Sequence, residues 1–133
     1  MIRPGKESLQ LAFLIICCEN IAKLFHNFDE EGQSKAYVRR FFDEFLNEAD
    51  SARLAVALTT HDIRPISVRE VADTLYSVRC DVLHEGKYWG FHFHDGRMTM
   101  LNTDPDVNVN IQLSEFRDIV VRGAIQAIKR YVP

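Results

Sequence analysis

The chain has 133 residues, 47% of them apolar and 26% charged. That balance fits about one globular domain and excludes a disordered tail, a collagen-like fibre or a low-complexity array. Sixteen basic against nineteen acidic side chains leave a formal charge of −3, which excludes a general nucleic-acid coat but not an enzyme that touches a phosphate or two. Cys17, Cys18 and Cys80 make a poor disulfide framework, being odd in number with two adjacent. They read as small buried apolar groups in a reducing compartment. The longest apolar run, Leu11 to Cys18, is far short of the ~20 residues a bilayer span needs. With no small-residue cleavage site after it, the expected location is the cytoplasm and no membrane partner is expected.

Taken in chain order, residues 1–6 hold Pro4 and Gly5 and form a short lead-in. From Glu7 to Asn27 the positions Leu11, Leu14, Ile15, Cys18, Ile21, Ala22 and Phe25 recur at helical spacing. Phe13, Ile16 and Cys17 widen that stripe, which predicts a helix buried on most sides. The Asp29-Glu-Glu-Gly32 string breaks it. A second helix is predicted from Ser34 to Asn47, with Tyr37, Val38, Phe41, Phe42 and Phe45 inward. A third runs from Asp50 to Thr60, capped by Asp50 or Ser51, and His61–Pro65 connects. Ser67-Val-Arg-Glu70 is a capping box opening a fourth helix, whose Val68, Val71, Ala72, Leu75, Val78 and Val82 share one stripe. Gly86 ends it.

After Gly86 the apolar period changes from 3.6 to 2. Trp89, Phe91 and Phe93 alternate with polar neighbours up to His94, and Asp95-Gly96 signals a tight hairpin turn towards Met98 and Met100. A further alternating run, Val107 to Gln112, follows the turn Thr103-Asp-Pro-Asp106. Ser114 is the expected cap of a last helix to Arg130, with Phe116, Ile119, Val120, Ala124, Ala127 and Ile128 inward. The expected fold is mainly α: a single domain over residues 1–133, built as a four- to five-helix bundle with a small antiparallel β-meander (about 88–112) inserted before the last helix.

The chemistry concentrates in Tyr76-Ser-Val-Arg79-Cys-Asp81-Val-Leu-His84-Glu-Gly86. Arg79 and His84 lie five residues apart at the end of a helix, so their side chains diverge by about 140°. They converge on one substrate only if the last turn loosens or a second chain contributes. Asp81 and His84, three apart, are neighbours able to hydrogen-bond. Read structurally, Arg79 would lie along the bundle surface and His84 would face the helix C-terminal carbonyls.

The string resembles the signature of the HEPN family (higher eukaryotes and prokaryotes nucleotide-binding domains): an arginine, a few mostly apolar residues, then histidine and often glycine, late in a long helix of a bundle with one amphipathic helix to follow. The resemblance implies a metal-independent, cofactor-free endoribonuclease acting as a homodimer in a toxin–antitoxin or defence setting. In that reading Arg79 clamps phosphate, His84 serves as acid or base, and Asp81 supports it. Tyr76, Cys80, Glu85 and Lys87 are the flanking candidates for ligand contact. The family commonly has a polar residue directly after the arginine, where this chain has Cys80. A second expectation follows: a non-catalytic HEPN-fold module partnering a nucleotidyltransferase, a cognate antitoxin or another protein, which the chain's mild acidity also suits.

A more remote expectation is a metal held by His92 and His94. Gly86-x5-His92-x-His94 is similar to the opening of a cupin metal motif, but the glutamate expected downstream is missing and a cupin needs many more strands. Arg39-Arg40 and Lys129-Arg130 read as solvated basic pairs, and Cys17 and Cys18 as inert thiols.

Overall fold

The computed structural model describes residues 6–29, 33–59, 64, 66–85, 100–103 and 106–131. Within them the chain is a helical bundle: α1 (Lys6–Phe25), α2 (Ser34–Glu44), α3 (Glu48–Ala55), α4 (Val68–Glu85) and α5 (Leu113–Tyr131). A small antiparallel sheet precedes the last helix, as the change of period predicts. Helix α1 is the hub and packs against α2, α4 and α5. Glu7–Phe25 is long and apolar enough to cross a bilayer by length and composition, yet Leu11, Ala12, Ile15, Cys18 and Ala22 are wholly buried in the bundle.

Helix α2 carries the aromatic heart of the core. Tyr37, Val38, Phe41, Phe42 and Phe45 are all buried, on the face their spacing predicts. Phe41, Phe45 and Phe25 meet at tilted or edge-on ring angles, the geometry that aromatic quadrupoles favour. Gly123 of α5 lets that helix close on α2: a Cβ there would lie 2.8 Å from Phe41 Cζ.

Helix ends follow hydrogen-bond demand. The Ser67 hydroxyl accepts from Glu70 N–H, as the expected box requires, but the Glu70 carboxylate takes the Ser67 hydroxyl rather than its backbone N–H, both at 3.1 Å. Helix α3 starts earlier than its sequence signal, because the Asn47 side chain accepts from Asp50 N–H at 2.7 Å. Asp50 is thereby freed from capping and takes Arg122 of α5 in two 2.8 Å bonds. Helix α5 likewise starts before Ser114: Gln112 O accepts from Phe116 N–H and the Glu115 carboxylate reaches back to Gln112 N–H.

The sheet differs from the expected meander in its membership. β2 (Met100–Thr103) and β3 (Asp106–Val109) form a hairpin across the predicted turn, with Thr103 opposite Asp106. The third strand is β1 (Leu58–Thr59), from the end of the segment expected to be helical, and the order is β1-β3-β2. Helix α3 stops at Ala55 because the chain beyond it exchanges helical bonds for the ladder: Asn110 N–H donates to Ala57 O at 2.7 Å. Arg53 clamps the junction, donating to Asn110 O and to the Glu115 carboxylate. The expected strand Tyr88–His94 and its Asp95-Gly96 turn lie outside the described residues.

Candidate functional site

Helix α4 is regular from Val68 to Glu85, so its buried stripe (Val71, Ala72, Leu75, Val78, Val82) fixes where the remaining side chains point. Arg79 borders that stripe and turns towards α1. Its side chain is only 15% exposed, and its Nη2 lies 3.3 Å from Glu19 Oε1. Glu19, 6% exposed, accepts from Lys23 at 2.6 Å through its other oxygen. The Arg79 guanidinium lies over the Tyr76 ring, 5.3 Å from its centroid, with Nη1 3.8 Å from Cys80 Sγ. Burial, then the hydrogen bond with Cys80, pushes the Tyr76 hydroxyl above the ordinary phenol range.

Two cations thus share one carboxylate in a largely dry setting, and the sharing is incomplete. Arg79 Nε and Glu19 Oε1 are buried without a hydrogen-bond partner. Orphaned polar atoms of this kind cost stability, and charged clusters that tolerate them are characteristic of sites that bind something. A phosphate oxygen is the chemical complement of a guanidinium beside an ammonium group, although here Glu19 already faces both cations and the Arg79 Nε is closed off from solvent.

Of the sequence candidates, Arg79, Tyr76 and Cys80 come together. His84 does not join them within one chain: it is exposed at the end of α4, as the 140° separation requires. Asp81 is half-buried and makes no hydrogen bond with His84. The side chain of Glu85, together with Lys87, His92 and His94, lies outside the described side chains. Among the described residues no three His, Cys, Asp or Glu side chains are grouped to hold a metal.

Sequence reading missed Glu19 and Lys23. The signal was present: an acid and a base four apart inside the most apolar helix, where a charge pair is costly unless it has a task. Other expectations shift too. Arg39 and Arg40 are not simply solvated, since Arg39 makes a two-pronged bond to Asp73 and Arg40 binds Asp29. His26, unassigned by pattern, bonds to the Glu44 carboxylate, and Arg130 lies over the Phe25 and Phe45 rings. Cys18 is an inert thiol, its pKa pushed up by complete burial, whereas Cys17 is exposed.

Comparison with family models, characterised proteins and solved structures finds no match to this chain.

Proposed function

We propose that this chain is a HEPN-like domain that binds RNA or a nucleotide through the phosphate-complementary cluster of Lys23 and Arg79. Two copies together cut RNA without metal, as part of a cytoplasmic toxin–antitoxin or defence system. The observation that supports it best is the buried, unmatched Nε of Arg79, whose guanidinium shares Glu19 with the Lys23 ammonium five residues before an exposed histidine. Glu19 is a positioning residue, holding the guanidinium and the ammonium side by side. In the reaction His84 of one copy removes the proton from the RNA 2′-hydroxyl, whose oxygen then attacks phosphorus. The bond from phosphorus to the 5′-oxygen breaks, and the histidine of the second copy protonates the departing oxygen. Arg79 neutralises the charge that builds on the non-bridging phosphate oxygens. The products are a 2′,3′-cyclic phosphate and a 5′-hydroxyl.

The test is incubation of single-stranded RNA with purified protein in EDTA, followed by end-group analysis. Cyclic phosphate ends from the wild type and none from His84→Ala are expected. Equal cutting by that variant overturns the assignment.

A second reading is favoured by the ion pair itself. Glu19 already matches one of the two positive charges, and Cys80 stands where the family commonly has a polar residue. On this reading the fold is a binding module for a nucleotidyltransferase or another protein, without catalysis. It predicts intact RNA together with a partner complex that survives both Arg79→Ala and His84→Ala.

A further inference from the structure

We propose that Glu19 closes the site as well as gathering it: its carboxylate holds Arg79 turned into the bundle, and RNA binds only when that contact opens and the guanidinium swings out over Tyr76. The inference rests on the phosphate-binding reading above and adds the regulation of that same site.

The two halves of the Glu19 cluster are unequal. Oε2 takes a 2.6 Å hydrogen bond from the Lys23 ammonium. Oε1 faces Arg79 Nη2 at 3.3 Å, yet it has no hydrogen-bond partner, and neither has Arg79 Nε. Among the described residues the hydrogen bond that the guanidinium does make is the 3.8 Å one to Cys80 Sγ, and a thiol sulfur is a weak acceptor. A group with five N–H donors is thus largely buried against one carboxylate and one ring face. Unmatched buried donors cost free energy. The Lys23 half is held by a directed bond, whereas the Arg79 half is held by charge attraction and is the half that opens.

Glu19 and a phosphate compete for the same cations. Both present anionic oxygens to a guanidinium and an ammonium, and two anions against one Arg79 repel each other. The inward form therefore does not grip a phosphate. The way out is marked on α4. At 100° per residue Tyr76 and Cys80 lie about 60° and 100° around the helix from Arg79, on the arc that ends at His84 about 140° away. Tyr76 and Cys80 are half-buried and His84 is exposed, so the arc runs towards solvent. An arginine that slides across the Tyr76 ring, which its guanidinium already covers at 5.3 Å, keeps a cation–π contact and narrows its distance to the histidine. The inward form is the off state, and a phosphate biases the pair of states by binding only the outward one.

The experiment is titration of the full chain against a fluorescent 2′-O-methyl RNA oligonucleotide, which has phosphates but no 2′-hydroxyl to be cut, with circular dichroism as the check on folding. Glu19→Gln keeps the shape and removes the competing charge. Binding is expected to tighten at least ~10-fold, since a competent state populated to ~10% or less weakens apparent affinity by that fraction. Adding Arg79→Ala to Glu19→Gln is expected to erase the gain. Glu19→Asp leaves the net charge unchanged and draws the carboxylate back from Arg79 by one methylene, and it too is expected to tighten binding. That variant separates the latch from a bulk effect of charge and carries the test if Glu19→Gln does not fold. Equal or weaker binding by the folded Glu19 variants, with Arg79→Ala still weakening the wild type, overturns the latch and spares the site. Binding that ignores Arg79→Ala in every background overturns the site, and the latch with it.

Discussion

Glu19 and Arg79 show how one side chain's environment sets its use. A carboxylate 6% exposed is tolerable only because two cations reach it, and each of those depends on it in turn. Glu19→Gln keeps the shape and removes the charge, leaving Lys23 and Arg79 to repel each other. We expect a stability loss of about 1–3 kcal/mol, the usual cost of leaving buried hydrogen-bonding groups unmatched, read as a lower urea midpoint. His84→Ala, at an exposed position, is expected to shift stability by less than ~0.5 kcal/mol, so the two residues separate structural from chemical roles. Arg79 and His84 were legible as a motif. Glu19 and Lys23 were not paired with them, because their relation to Arg79 exists only once α1 and α4 pack.

Asp73 gives a prediction in pH. The Arg39 guanidinium, bound in two bonds of 2.6 and 2.8 Å, holds this carboxyl below its ordinary value. A carboxyl depressed in the folded state stabilises the fold above its unfolded pKa and loses that contribution as pH falls through the folded one. Acid unfolding should therefore steepen below about pH 4, where an ordinary aspartate begins to protonate. Asp73→Asn should flatten that limb and lower stability at neutral pH by at most ~1 kcal/mol, since both partners are partly exposed. Asp29, held down chiefly by its hydrogen bond from Arg40 and then by Tyr37, acts in the same direction from an exposed position.

Among the elements, α2 and α4 were read most nearly as built, since each combines a sharp apolar stripe with a clear start or a dense aromatic face. The wide apolar stripe of α1 predicts burial on most sides, but Phe13 and Cys17 are exposed. When apolar residues occupy both faces, periodicity cannot say which face finds a partner. The same ambiguity placed Ile128 inward on α5, where Gly123 is buried instead. Strand β1 was illegible for another reason: two residues carry no period, and their partners lie some fifty positions away in β3. Gly123→Ala tests the closeness of α5 to α2. A methyl placed 2.8 Å from Phe41 Cζ and 3.2 Å from Leu46 Cδ2 must push the ring or the helix aside. A loss of about 1–3 kcal/mol in thermal or urea unfolding is expected, whereas at exposed Gln126 an alanine should be nearly silent.

At the scale of the molecule, the sequence motif and the fold leave a division of labour. One chain gathers Arg79 and Lys23 around Glu19 and presents His84 elsewhere, so the acid–base cleavage we propose draws on a second copy. The −3 formal charge suits a protein that grips a short stretch of phosphate at one cleft better than one that coats a long strand. The most direct test is to mix a fixed amount of wild-type chain with an equal amount of His84→Ala, allow subunits to exchange, and follow RNA cutting in EDTA. If each cleft needs a histidine from both copies, mixed pairs are dead, and random exchange into two-fold pairs lowers the rate to about half. A rate unchanged by the added variant contradicts the account, because each chain would then be cutting alone.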